Sequence, residues 1–308
     1  MESRALGRTG PELSVIGLGC NNFGMKLDAA ETAAVVHAAL DAGITHFDTA
    51  EMYGGGASEE YLGAALGSRR DEVVIATKFL PRPKGEPYEP GALRRRILEG
   101  CEGSLRRLGT DRIDIYYHHF PDPEAPLAEA LETLDELVRA GKVLHIACSN
   151  VDAAQIRERE AFSTERGIAR FTGAQIHWNM LERTVEQEVV PAAIEAGMGI
   201  VPYFPLASGV LTGKYRAGEP FPPGSRLDRM SRFARLATPE NLARVEELAA
   251  FAQKHGHTVG ELAIAWLAAQ PGVTSVIAGA TTPEQVRANV AAANWVMTPE
   301  ELAEVPLG

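Results

Sequence analysis

The chain of 308 residues has only three cysteines, Cys20, Cys101 and Cys148, with no CxxC spacing among them. This argues against a disulfide framework or a cysteine-based zinc site. Positive charge is also scarce, since 30 basic against 41 acidic residues leave a net charge of -11. A broad nucleic-acid footprint needs clustered cations and is not expected, whereas a local basic pocket for a phosphorylated small molecule remains compatible. No apolar run approaches the roughly 18 residues that span a bilayer. Met1 is followed by Glu2-Ser3-Arg4-Ala5 rather than by an apolar signal core. The reading is a cytoplasmic protein with no membrane and no nucleic acid as partner. No heptad or large apolar seam speaks to oligomeric state. At 45% apolar and 23% charged, the composition is that of an ordinary globular protein with a sizeable core.

What the chain does have is a rhythm of short apolar runs alternating with amphipathic stretches. Strands are expected at 15–19, 44–48, 73–77, 113–118, 143–148, 173–176, 198–202 and 274–277. Helices are expected from Asp28 to Gly43 and over 58–66, 91–108, 127–138, 152–161, 185–196, 240–255, 258–269 and 283–293. Strands separated by helices are parallel, and eight such units close into a (β/α)8 barrel. The helix at 240–255 is extra, placed before the seventh barrel helix, and no linker divides residues 1–308, so one domain is expected. An open doubly wound sheet is the second choice. Its GxGxxG fingerprint is missing, because Gly17-Leu18-Gly19 continues as Cys20-Asn21-Asn22.

Three successive strands each deliver a titratable group to their carboxyl end: Asp48 followed by Tyr53, then Lys78, then His118-His119. Chemistry in such barrels is done at that end. A tyrosine can protonate a developing alkoxide if its pKa, about 10 unperturbed, is brought toward neutrality. A nearby ammonium favours the phenolate, and a carboxylate keeps the ammonium charged. The trio Asp48, Tyr53 and Lys78 therefore suits carbonyl reduction, with a histidine to orient the carbonyl oxygen. Each residue alone also reads blandly, as a loop cap, a loop aromatic and a solvated strand end. Other chemistries fit less well. A metal-dependent hydrolase would want His-x-His where Cys20-Asn21-Asn22 stands, and no metal ligands are assigned. A Schiff-base lyase would want Lys78 desolvated and unpaired.

The segments FDTAEMYGGG (47–56), ATK (76–78), DRIDIYYHHFPD (111–122), SN (149–150), QIHWNMLER (175–183), PYFPLASGVLTGKY (202–215) and AGATTPEQVRAN (278–289) occur in order along most of the chain. In these the chain resembles the aldo-keto reductase superfamily. The resemblance implies NADPH-dependent reduction of aldehydes and ketones, with Asp48, Tyr53, Lys78 and His119 as the catalytic four. Strand alternation turns only one of His118 and His119 inward, and the family pattern selects His119, leaving His118 packed beneath the helices. Ser149, Asn150 and Gln175 lie where they can bond a nicotinamide carboxamide, and Tyr203 matches the residue that stacks on its ring. Asn21 and Asp48 join this cofactor set. The loop Leu206 to Lys214, with Ser208 and Gly209, offers donors to a pyrophosphate. Gly279, Thr281, Gln285 and Asn289 fall in the adenosine region, where Thr282-Pro283-Glu284-Gln285 opens a helix with an N-cap and a capping-box glutamine. Gly279-Ala280-Thr281 stands where many members carry a cation for the 2'-phosphate, so NADH is possible beside NADPH. Phe204 and Trp178 are expected to make the floor of the site apolar. The loops 120–126 and 208–239 would frame an open site for aldehydes, ketones or sugar derivatives. The alternative is a nicotinamide-binding regulatory subunit with little activity.

Overall fold

A computed structural model describes residues 1–82 and 85–307. The chain opens with a small antiparallel hairpin, β1 (Ser3–Ala5) and β2 (Glu12–Ser14). The barrel follows: β3 (Ile16–Gly19), α1 (Ala29–Asp41), β4 (His46–Asp48), α2 (Ala57–Leu66), β5 (Val74–Phe79), α3 (Ala92–Leu108), β6 (Ile113–His118), α4 (Leu127–Arg139), β7 (Val143–Ser149), α5 (Ala153–Arg166), β8 (Phe171–His177), α6 (Val189–Glu195) and β9 (Gly199–Tyr203). Next come α7 (Arg226–Arg229), α8 (Ser231–Ala234), α9 (Pro239–Lys254), α10 (Val259–Ala268), β10 (Val276–Gly279), α11 (Pro283–Ala292) and α12 (Pro299–Glu304). Strands β3 to β10 close into a barrel in sequence order, with β10 beside β3, and every pairing is parallel. The expected (β/α)8 barrel is the fold, and α9 is the extra helix before the seventh barrel helix.

Four helices begin with a reciprocal capping box, at Asp28 with Glu31, Asp152 with Gln155, Thr258 with Glu261 and Thr298 with Glu301. Each satisfies orphan amides at a helix start. The structure departs from the sequence reading in four places. The polar start folds as the β1–β2 hairpin, whose three-residue strands are too short to show a period. The helix expected over 185–196 is a 3-10 turn at Thr184–Glu186 followed by the seven-residue α6. Pro191 explains the break, because its ring would clash with the carbonyl four residues earlier. The helix expected to end at 161 runs on to Arg166, where Gly167 stops it with φ 62. The terminal stretch forms α12 rather than a bare tail.

The hairpin has a task. Leu6 and Leu13, both fully buried, close the amino end of the barrel against Ala76, Ile115, Tyr117, Ala147, Val201 and Ile277. Two glycines make room for it. A Cβ on Gly173 would come 3.0 Å from Leu6, and one on Gly199 would come 2.6 Å from the Gly7 amide. With its floor sealed by leucines, the barrel is left open for chemistry only at the carboxyl ends of its strands. Leu6→Ala should therefore cost about 2–5 kcal/mol of stability, seen as a lowered urea midpoint. An unchanged midpoint would show that the hairpin does not seal the floor.

Candidate active site

Alternation along the strands decides what enters the barrel. His46 and Asp48 of β4 point inward, as do Ala76 and Lys78 of β5, Ile115 and Tyr117 of β6, and His119 just beyond β6. Lys78 is wholly buried and donates to Asp48 Oδ1 at 2.5 Å and to the Thr49 carbonyl at 2.7 Å. The other Asp48 oxygen accepts from Gln175 Nε2 at 2.7 Å. Asp48 is thus held from both sides of the barrel mouth.

Tyr53 returns over this pair because Gly54, Gly55 and Gly56 have φ of 60°, 66° and 101°. Three successive left-handed residues favour glycine strongly. The Lys78 ammonium lies 5.2 Å from the Tyr53 ring centroid. Burial raises the Tyr53 pKa, and the pull of Lys78 does not offset it. This corrects the expectation of a tyrosine brought toward neutrality. Tyr53 instead keeps its proton firmly at physiological pH. Burial disfavours the Lys78 ammonium, but the Asp48 carboxylate outweighs that cost, so Lys78 also titrates above its ordinary value. Glu51, unremarked in the sequence, steadies the loop before Tyr53: its Oε1 accepts from the Leu80 amide at 2.6 Å and from Arg96 at 2.7 Å.

The His119 ring meets Tyr53 edge-on, with centroids 6.3 Å apart, and stacks on Phe120 at 4.2 Å. Burial, helped by Lys78, pushes its pKa down to about 3, so the imidazole is neutral. Its Nδ1 is buried without a partner. The tautomer that leaves a lone pair rather than an N–H unpaired places the proton on Nε2. His118 points the other way, stacked on Phe79 at 5.0 Å.

The carboxyl ends of β7, β8 and β9 form one network. Ser149 donates to the Gln175 carbonyl at 3.0 Å. Asn150, at φ 56, donates to the His119 carbonyl at 2.9 Å and accepts from the Tyr203 hydroxyl at 2.9 Å. The four expected cofactor residues are together, and their side chains are partly engaged with one another. Tyr203 stacks on His177 at 5.3 Å.

After β9 the backbone turns left-handed at Phe204 and again over Ala207, Ser208 and Gly209. This loop starts at Leu206, and it leaves Ser208 Oγ and Tyr215 Oη buried without partners. A Cβ on Gly209 would meet the Lys214 ammonium at 3.1 Å. Arg226 lies over the rings of Phe204 and Phe233, with centroid distances of 5.4 and 5.0 Å, and its Nε is buried and unpaired. Burial lowers the Lys26 pKa, and Arg226, Arg229 and Lys214 lower it further. Four cations thus converge here, and none has a carboxylate within ion-pair distance among the described residues. Unpaired cations beside an orphaned hydroxyl fit a phosphate-bearing group. Arg226, Arg229 and Lys26 were not singled out from sequence, where arginines in a loop carry no signal of convergence.

The adenosine region departs in one detail. Gln285 reaches the Thr281 amide at 2.8 Å and the Thr281 hydroxyl at 3.1 Å. Thr282 caps α11 as expected, accepting from the Gln285 amide at 3.3 Å, but the glutamine side chain accepts from Thr281 instead of closing the box on Thr282. Asn289 is buried on α11, and Gly279 lies beside Asn21, whose Oδ1 would be 3.7 Å from a Cβ there. Arg287 is paired with Glu284 at 2.6 Å. Phe204 borders the site, but Trp178 does not: it is buried against Trp266 of α10 at 5.9 Å, and its indole donates to Glu186. The apolar floor expected of Trp178 is thus corrected, since alternation turns it outward. Among the described residues no helix is long and apolar enough to cross a membrane.

A closed parallel barrel with a lysine, carboxylate, tyrosine and imidazole at its open end, and unpaired cations beside them, defines a (β/α)8 protein built around an oxidoreductase-type site. Comparison with known sequences agrees: residues 15–306 match the Aldo/keto reductase family. A probable voltage-gated potassium channel subunit beta of Oryza sativa is 36% identical over 99% of this chain and 95% of its own length. A putative subunit of the same description from Schizosaccharomyces pombe is 36% identical, covering 98% and 91%. The aldo-keto reductase YhdN of Bacillus subtilis is 35% identical, covering 99% and 92%. The chain belongs to the aldo/keto reductase family, whose members characteristically use nicotinamide cofactors.

Three imidazoles in and around the barrel resist protonation. Burial holds His46 at about 4 and both His118 and His119 at about 3, against an ordinary value of 6.5. Below 6.5 the unfolded chain binds protons that the folded chain refuses. Stability should therefore be full above that pH and fall between pH 6.5 and 4, by up to about 1.4 kcal/mol per pH unit for each histidine. Urea unfolding at pH 7, 6 and 5 reads this, and equal free energies at all three would contradict it.

Proposed function

We propose that the protein is an NADPH-dependent reductase of aldehydes or ketones, with NADH as a possible substitute. The observation that carries this reading is the buried Asp48–Lys78 pair beneath Tyr53, beside a neutral His119. Ser149, Asn150, Gln175 and Tyr203 would hold a reduced nicotinamide, which would supply the hydride in such a site. Asn21, Leu206, Ser208, Gly209 and Lys214, joined by Arg226, would take the pyrophosphate side, and Gly279, Thr281, Gln285 and Asn289 the adenosine. Support for the fit comes from the orphaned Ser208 hydroxyl and the cations without carboxylates.

In this reading the carbonyl carbon gains a hydride, the π pair moves to oxygen, and that oxygen takes the Tyr53 proton. His119 donates an Nε2–H to the same oxygen and orients it. A tyrosine with a raised pKa is suited to this direction, since it arrives protonated and an alkoxide is far more basic. Lys78, its charge balanced by Asp48, stabilises the phenolate left behind until solvent reprotonates it. Met52 and Phe120, 46% and 38% exposed, flank the mouth and favour substrates with an apolar substituent.

A second reading has support in the names of relatives described as potassium channel subunits: a nicotinamide-binding regulatory subunit with little turnover. The two readings part on a single assay. Purified protein with an aromatic aldehyde should oxidise NADPH in an aldehyde-dependent way, and tight NADPH binding without oxidation would favour the regulatory subunit. Tyr53→Phe should lose turnover by about a hundredfold or more while cofactor affinity is kept. The reduction rate of the parent protein should stay flat through neutrality and decline only above about pH 10, as Tyr53 loses its proton. A decline centred near pH 7 would remove Tyr53 from the role of acid.

A further inference from the structure

On the outer side of β6, away from the barrel interior, a cavity of about 200 Å³ lies between the 120–126 loop, the start of α3, α4 and α5. One side is apolar, formed by Leu93, Pro121, Ala125, Leu127 and Ala130. The other side carries His118 and Arg159, each 3% exposed. Neither ring nitrogen of His118 makes a well-formed hydrogen bond, although the Phe120 backbone lies close enough to favour its protonated form, and Arg159 Nε is buried without an acceptor. The guanidinium finds only the Gln155 carbonyl, at 3.1 Å from Nη1. It has no carboxylate in ion-pair range among the described residues. Asp122 also lines the cavity, but Arg82 holds both its oxygens at 3.1 Å, and Glu158 is exposed at the rim.

A buried arginine without a counter-charge is costly, and a space next to it with unused donors needs acceptors. We propose that this cavity is a second binding site, distinct from the reductase site, for a compact monocarboxylate with an apolar body. The carboxylate accepts from Arg159 and from a His118 N–H, and the apolar body lies against Leu93, Leu127 and Ala130. Size agrees, because a cavity of about 150 Å³ already accommodates benzene. Charge agrees as well: one unpaired guanidinium balances one negative charge, while Asp122 and Glu158 oppose a dianion such as phosphate. The site also shares the 120–126 loop with His119, whose ring stacks on Phe120.

Isothermal titration of the full-length protein with sodium benzoate at pH 7 tests this, with benzamide as a probe of the same shape and no charge. One benzoate per chain is expected to bind, benzamide is not, and the His118 ring proton signals should shift on benzoate addition. Arg159→Met should weaken benzoate about tenfold or more, the scale of a lost charge-assisted hydrogen bond. This variant is expected to fold, since it removes an uncompensated buried charge. Ala125→Leu keeps Arg159 but narrows the space, and should weaken binding independently. Tyr53→Phe should bind benzoate as the parent does, which separates this site from the reductase site. Absence of saturable binding at millimolar benzoate would overturn the proposal, as would equal affinity in Arg159→Met. Loss of binding in Tyr53→Phe alone would assign the carboxylate to the reductase site and overturn it too.

Discussion

The rest of the site depends on a single buried charge. Lys78 is fully enclosed by the barrel, and an ammonium taken out of water costs several kcal/mol unless it is paired and hydrogen-bonded. Asp48 and the Thr49 carbonyl meet that need from the neighbouring strand, and Gln175 from across the mouth fixes Asp48 in turn. This chain of bonds ties β4, β5 and β8 together at their carboxyl ends. It also fixes what surrounds it. Tyr53 and the neutral His119 are uncharged hydrogen-bond donors, and Asp48 balances Lys78. The cluster is therefore close to neutral as a whole, so negative charge developing on a bound oxygen would be the one uncompensated charge at the mouth. Preorganised donors aimed at such a charge act most strongly where water is excluded.

Polarity is graded along the barrel axis. At the amino end, Leu6 and Leu13 fill the floor with hydrocarbon. In the middle, His46 Nδ1 and Ser275 Oγ meet at 2.8 Å over Gly17, where a Cβ would lie only 2.6 Å from the imidazole. At the carboxyl end stand Asp48, Lys78, Tyr53 and His119. The gradient explains why burial rather than neighbouring charge sets the protonation of Tyr53 and His119. The layers below supply no ions, and Lys78 is already neutralised by its partner.

Much of this was legible in the sequence because it follows from periodicity. Eight apolar runs spaced by amphipathic stretches imply parallel strands, and period two along β6 makes His118 and His119 face opposite sides. The barrel, the extra helix α9 and the convergence of Asp48, Lys78 and His119 follow from those patterns. What was not legible depends on distances between segments far apart in the chain. The left-handed turn at Ala207-Ser208-Gly209 has glycine at only one of its three positions. The gathering of Lys26, Lys214 and Arg226 joins a loop after β3 to one after β9. The rise in the Tyr53 pKa reflects how tightly the loop closes over the ring, which a list of charged neighbours does not reveal. The outward turn of Trp178 follows from the same alternation, along β8, that separates His118 from His119 along β6.

A net charge of -11 and a nest of unpaired cations are compatible because the acidic excess is spread over the surface while the cations are concentrated. Most surface arginines of this chain, such as Arg69 and Arg112, have carboxylates within reach. Lys26 instead has Arg226, Arg229 and Lys214 near enough that, after burial, their charges lower its pKa further. Like charges held together in a fold raise its energy, and an anion that enters the group lowers it. The folded chain therefore stores an electrostatic preference that only a negatively charged ligand can relieve. Among the described residues the Thr281–Gln285 corner of α11 has no such group, since Arg287 is paired with Glu284. On the assignment proposed above, Lys214 and Arg226 would meet the pyrophosphate that NADPH and NADH share, so this group would favour either cofactor, and selection between them would fall to the residues at the start of α11.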